Sequence, residues 1–150
     1  MIYYRISKYD PLYRVDGIYQ KDEWTSVCDI GKEYNGKLFT EDEYLRVEKS
    51  YIDFVIDLCK LQNIESLTTD NLENYNKLHW NNGQALSVSQ IGDFIKVCLR
   101  EECWGRLVSD KLVFYAGYDY YIHIGVDLST EKLEDIAFNH NLFVEEWDNQ

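Results

Sequence analysis

The fold is decided by residues 104–126, which read WGRLVSDKLVFYAGYDYYIHIGV. Three runs in this stretch are rich in β-branched and aromatic residues: 104–109, 112–116 and 120–126. The short groups between them, 109–111 and 117–119, carry Ser, Asp, Lys and Gly and suit tight turns. Consecutive runs of this length joined by short turns are typical of neighbouring antiparallel strands. The stretch therefore predicts a β-meander.

Two helices are predicted on the N-terminal side of the meander. The sequence Thr40-Glu41-Asp42-Glu43 is a capping box, in which the Thr40 hydroxyl accepts from the Glu43 amide and the Glu43 carboxylate reaches back. Apolar residues then recur at helical spacing as far as about residue 61: Tyr44, Val47, Tyr51, Phe54, Val55 and Leu58. A second helix begins near Ser89, and one apolar stripe runs along it: Ile91, Phe94, Ile95, Cys98 and Leu99.

The remaining segments complete an α+β pattern. Residues 2–9 suit a short strand, and residues 142–147 suit a closing strand. Ser129 or Thr130 caps a short helix that lies between the meander and the closing strand. Irregular structure is expected as far as about Phe39, with Trp24 and Val27 docked on the core. The asparagine-rich segment 62–88 stays unassigned, apart from a short strand or helical turn near 67–75. The whole chain, residues 1–150, is expected to form one α+β domain whose mainly antiparallel sheet has helices packed on one face.

The net charge of −12 is concentrated toward the C-terminus, because residues 111–150 contain two basic and eight acidic residues. A negative field repels nucleic-acid phosphates and anionic lipid and attracts basic protein surfaces. We therefore expect a basic protein partner, no nucleic acid and no membrane; the simpler alternative is that the acidity only confers solubility. A monomer or weak dimer is expected.

Composition also bears on compartment and cofactors. The chain has no long apolar run and no basic-then-apolar leader, which favours the cytoplasm. Of the four cysteines, Cys59 and Cys98 lie in apolar helical patterns, which favours reduced core thiols over disulfides. A redox role for Cys28, Cys59, Cys98 or Cys103 stays open. No paired Cys or His spacing suits a metal, and neither a metal nor a cofactor is expected.

Motifs of the common enzyme classes are missing from the sequence, which has no phosphate loop, nucleophile elbow, zinc helix or dinucleotide fingerprint. A Cys103–His123 pair is conceivable if the two residues lie on neighbouring strands. The adjacent acids Glu145 and Glu146 point to opposite faces of a strand and cannot share one substrate atom. We expect a binding protein and not an enzyme, with a small enzyme or ligand-binding protein as the alternative.

The candidate contact residues lie in the last third of the chain, where tyrosines stand beside acids. Strand alternation places Tyr120, Ile122 and Ile124 on one sheet face and Tyr121 and His123 on the other. Rigid aromatic rings with a polar tip are typical of protein-binding patches. The predicted partner-binding residues are Tyr118, Asp119, Tyr121, His123, Glu145, Glu146, Trp147 and Asp148.

Several segments give the chain a resemblance to the immunity proteins of bacterial polymorphic toxin and contact-dependent growth inhibition systems. They are Tyr3-Tyr4-Arg5-Ile6, residues 22–26, residues 29–32, residues 40–44 and Tyr120-Tyr121-Ile122. The resemblance implies a small acidic cytoplasmic inhibitor that neutralises a cognate toxin by stoichiometric occlusion, often a nuclease with a basic cleft. A DNA-mimicking adaptor is a third hypothesis, and it requires acids in two rows spaced like phosphates.

Overall fold

The main feature of the molecule is a seven-stranded sheet, seen in a computed structural model that describes residues 1–73 and 80–147. In spatial order its strands are β11 (Phe143–Glu146), β1 (Ile2–Ser7), β10 (Tyr121–Val126), β9 (Leu112–Ala116), β8 (Trp104–Val108), β6 (Ser66–Glu73) and β7 (Ala85–Ser87). Each neighbouring pair is antiparallel. The meander β8–β9–β10, which the sequence predicts, forms and lies at the centre of the sheet.

Three helices cover one face of this sheet: α1 (Glu41–Leu61), α2 (Val88–Leu99) and α3 (Thr130–Phe138). Alternate strand residues turn toward them, and Ile6, Ile124, Phe114 and Leu107 have no exposed surface. The predicted α+β class, with helices on one face of an antiparallel sheet, is confirmed. Among the described residues, no helix combines the length and apolarity that a membrane crossing requires.

The start of α1 differs in one contact from the predicted capping box. The Thr40 hydroxyl accepts from the Glu43 amide at 3.2 Å, as expected. Glu43 does not reach back to Thr40, because its carboxylate accepts from Nε and a terminal nitrogen of Arg46 at 3.0 and 2.6 Å. A guanidinium one turn along the helix is the stronger donor. The reach-back half of such a box forms instead at α2, where the Gln90 side-chain oxygen accepts from the Ser87 amide at 3.0 Å.

The segment that the sequence leaves irregular contains two small hairpins. One joins β2 (Arg14–Val15) to β3 (Ile18–Tyr19), and the other joins β4 (Glu33–Tyr34) to β5 (Lys37–Leu38). Their turns are Asp16-Gly17 and Asn35-Gly36, with positive φ at all four residues. Such pairs favour the tight hairpin turn whose twist matches the strands. Trp24 is buried and Val27 packs against the core, as predicted.

Two strands fill part of the segment that the sequence leaves unassigned. β6 extends to residue 73 and turns Leu67 and Thr69 inward, whereas the expected short element reached residue 75; residues 74–79 lie outside the described part. The short β7 then pairs with β6. Nearby, Cys98 and Cys103 are buried free thiols, as is Cys59, whose pKa burial raises to about 11; Cys28 is exposed.

Candidate functional site

The face of the sheet opposite the helices, which we call the bare face, has no described helix packed on it. The strand register aligns six of its side chains in a row across six strands: Glu145, Arg5, His123, Tyr115, Arg106 and Asp70. We call this set the cross-strand row. Opposite charges meet at both ends, since Arg5 contacts Glu145 and Arg106 contacts Asp70. The middle of the row is aromatic.

His123 lies at the centre of the cross-strand row and is only 7% exposed. Its ring stacks on Tyr115 at 4.5 Å between centroids and leans on Trp147 at 5.1 Å. Burial and, secondarily, the charge of Arg5 lower the pKa of His123 to about 4. Its Nδ1 atom is buried without a partner among the described residues. The imidazole therefore behaves as a neutral aromatic ring at neutral pH.

One end of the row is a compact network around Glu145. Its carboxylate lies 3.1 Å from Arg5 and 3.2 Å from Arg14. Arg14 also donates to the Tyr121 hydroxyl at 2.8 Å, and the Arg5 guanidinium lies over the rings of Tyr121 and Trp147 at 4.7 and 4.8 Å. These contacts hold long side chains in fixed positions before any partner arrives.

The other end of the row opens into a groove of about 540 Å³, which we call the aromatic groove. Trp104 and Tyr118 form one wall, with ring centroids 5.1 Å apart, and the Tyr118 side chain is 74% exposed. Gly105 packs closely against β6 where the register of that strand shifts, and a Cβ at this position would lie 2.6 Å from Cδ2 of Leu72, so the Leu72 side chain would have to move. Close packing of the bulged strand therefore shapes the groove floor.

The structure divides the predicted contact residues into two groups. Tyr121, His123, Glu145 and Trp147 lie together on the bare face, as strand alternation predicts, while Tyr118 and Asp119 form the exposed turn beside them. Glu146 points the other way and accepts from the Thr130 hydroxyl at 3.0 Å. Asp148 lies outside the described residues.

Sequence reasoning missed six residues of this face: Arg5, Arg14, Asp70, Trp104, Arg106 and Tyr115. For Arg5 and Arg106 a signal existed, because each stands next to a core residue in a strand and alternation turns it outward. The arginine contacts themselves depend on pairings between distant segments, which no local pattern reveals.

The structure changes how two features of the sequence are interpreted. Glu145 is not a free acid, since two guanidinium groups neutralise it, and Asp127 contacts the N-terminal ammonium at 3.1 Å. Exposed acids instead occur on several elements, such as Glu41 on α1 and Glu131 on α3. The conceivable Cys103–His123 pair does not form, because Cys103 is buried in the core and His123 lies on the bare face.

No set of three potential metal-ligating His, Cys, Asp or Glu side chains occurs within residues 1–73 and 80–147. Comparison with protein-family models, curated proteins and solved structures gives no match to this chain. The geometry of the bare face is therefore the basis on which a function is inferred.

Acidification is expected to destabilise the fold through His123. Its folded pKa of about 4 lies below the usual 6.5, so the unfolded chain binds the proton more tightly. The stabilisation from neutral His123 is complete above pH 6.5 and is lost as the pH falls toward 4, by roughly 2–3 kcal/mol. Urea denaturation at several pH values in this range measures the loss in the free energy of unfolding. A His123→Phe variant is the matched control, because the carboxyl groups titrate equally in both proteins. An equal dependence of the free energy of unfolding on pH in the two proteins would contradict the prediction.

Proposed function

We propose that this chain is an immunity protein that binds a cognate bacterial toxin domain in the cytoplasm and neutralises it by occluding its active surface. The observation that carries the proposal is the composition of the bare face. Tryptophan, tyrosine and arginine dominate it, and these residue types are enriched among the energetic hot spots of protein interfaces. The proposed anchors are Trp104 and Tyr118 in the aromatic groove, with Trp147 and Tyr121 beside the ion-pair network.

Pre-organisation supports the same proposal. Stacking of His123 between Tyr115 and Trp147, and the clamp of Arg5 and Arg14 on Glu145, fix the rotamers of the face. A fixed surface loses less side-chain entropy on binding, which favours a slow dissociation rate. The face as a whole is close to neutral, because its described charges pair with one another.

The net charge of −12 has a separate role in this proposal. Exposed acids around the molecule steer a basic toxin toward contact, and a nuclease with a cationic cleft is the expected partner. Such steering acts on the association rate and weakens as salt screens the field. The scattered placement of the acids among the described residues does not favour a DNA mimic, which needs two ordered rows.

The alternative of a small enzyme or ligand-binding protein has one feature in its favour, a polar cavity of about 130 Å³ near Lys8. Its charged lining residues contact one another or nearby groups: Lys8 with Glu23, Arg46 with Glu43, and His140 with Asp57. Side chains satisfied in this way have little capacity left for a substrate, so the cavity supports catalysis less well than the bare face supports binding.

The proposal is tested by expressing any secreted toxin domain that a neighbouring gene encodes and measuring its association and dissociation rates with this chain at increasing salt. We expect a dissociation constant of about 1 nM or lower. The association rate should fall at least about tenfold as the salt concentration rises. Trp104→Ala and Tyr118→Ala are each expected to weaken binding by about 10- to 100-fold, mainly through faster dissociation.

The matched control is Leu45→Ala, which truncates an exposed apolar residue on the helical side of the molecule. It should leave the affinity unchanged. Absence of any complex would contradict the immunity function, whereas a tight complex indifferent to both groove substitutions would move the interface away from the bare face.

A further inference from the structure

The edge of the sheet at β11 is open. In the described part of the chain β11 has one strand neighbour, β1. The Trp147 amide donates to the Tyr3 carbonyl at 3.0 Å, and bonded pairs alternate along an antiparallel ladder. Phe143 and Glu145 therefore bond to β1, while the backbone N–H and C=O groups of Val144 and Glu146 point toward the open edge. Such groups form a template for an added strand.

An apolar groove of about 550 Å³ adjoins this edge, and we call it the edge groove. Phe138 and Phe143 meet edge-to-face with centroids 6.2 Å apart, and Leu12 stands on the opposite side. Leu12 is 87% exposed and Phe138 is 56% exposed. The backbone at Leu12 is held in a short turn, because the Asp10 carboxylate accepts from its amide at 3.0 Å. Large apolar groups held in water at such exposure mark an interaction site.

The charge around the edge groove is negative. Asp10 and Glu134 line it directly, and Glu131, Asp135 and Glu146 are exposed nearby on α3 and β11. Lys132 is the one basic residue in the sequence of α3. Arg14, on the adjacent hairpin, is engaged by Glu145 and Tyr121. An apolar groove with an acidic rim favours an apolar side chain flanked by cations.

We propose that the open edge of β11 and the edge groove bind an extended segment of a partner protein in which lysine or arginine alternates with apolar residues. The segment adds a strand to the sheet through the backbone of Val144 and Glu146. One apolar side chain enters the edge groove between Leu12 and Phe138, and the basic side chains meet Asp10 and Glu134. This inference goes beyond the toxin proposal, since it concerns a different surface.

A second copy of the same chain is a poorer occupant of this edge. Pairing of two β11 strands around a twofold axis would bring the acidic rims of two molecules together, each with a net charge of −12. Like charges at close range oppose that contact. The charge therefore selects a basic segment and disfavours edge-to-edge dimerisation.

The test uses a short synthetic peptide that alternates lysine with valine and phenylalanine and is blocked at both ends. Fluorescence anisotropy is expected to show saturable binding with a dissociation constant on the order of 100 µM. Two isomers carry N-methyl groups on alternate sets of amides. Because only one set faces β11 in an added strand, one isomer should lose binding and the other should retain it.

Substitutions in the protein locate the site. Leu12→Ser and Phe138→Ser should each weaken binding of the peptide at least about fivefold. Leu45→Ser is the control, which should leave the binding unchanged. A peptide in which glutamate replaces lysine should not bind. Equal binding of the two N-methylated isomers, or no binding of the parent peptide, overturns the inference. A dimer in sedimentation that Leu12→Ser dissociates would also overturn it, because a second copy would then occupy the edge.

Discussion

Replacing Arg100 with alanine is expected to lower the free energy of unfolding by about 3 kcal/mol. Arg100 is the C-cap of α2 and contacts the buried carboxylate of Glu48 on α1, with N–O distances of 2.9 and 3.0 Å. The Tyr44 hydroxyl donates to the same carboxylate at 2.6 Å. Removal of the guanidinium leaves the Glu48 carboxylate, on a residue that is 4% exposed, with only the neutral Tyr44 hydroxyl as a donor among the described residues. The expected loss is at the lower end of the usual range because Arg100 itself is 30% exposed.

Two further variants separate this explanation from a general effect of losing an arginine. Arg46→Ala removes an exposed partner of Glu43 on α1 and should cost no more than about 0.5 kcal/mol. The double variant Glu48→Met with Arg100→Met removes both charges and should recover stability to within about 1–2 kcal/mol of the parent. Chemical denaturation at neutral pH measures all three. Equal losses for Arg100→Ala and Arg46→Ala would mean that water already reaches Glu48.

Local patterns in the sequence were sufficient for the helices and the meander. The six apolar positions predicted along α1, from Tyr44 to Leu58 at helical spacing, are buried, whereas Leu45 between them is exposed. The strands of the meander begin and end within about one residue of their predicted limits. Such elements follow from spacing alone, because burial repeats every three to four residues in a helix and every two in a strand. Glu48 was not anticipated, since its partner is 52 residues away.

Long-range pairing explains what the sequence did not reveal about the bare face. Alternation correctly placed Tyr121 and His123 on one side, but alternation fixes only the side and not the register. Arg5 and Glu145 are 140 residues apart, and their contact exists only because β1 pairs with both β10 and β11. The neutralisation of Glu145 was hidden for this reason, because the two arginines that contact it come from the other end of the chain.

Trp24 fixes the largely irregular segment 8–39 to the core, and its replacement by alanine is expected to cost about 3–5 kcal/mol. The indole stacks on Phe39 at 4.2 Å and an angle of 13°, and its edges contact Tyr44 and Tyr120. The Lys8 ammonium lies 4.2 Å from the ring. Few regular backbone bonds hold this segment, so a side chain buried to 7% exposure supplies much of its attachment.

The effect of Trp24→Ala should extend to the bare face. Arg14 belongs to the same segment and holds Glu145 and Tyr121, so loosening the segment releases one clamp of the ion-pair network. The amide hydrogen-exchange rates are expected to rise more in residues 8–39 than in α1 or β9. Trp104→Ala, on the bare face, is the matched control and should leave the exchange rates of residues 8–39 unchanged. A uniform rise throughout the chain would instead mean that Trp24 supports the global fold and not this segment in particular.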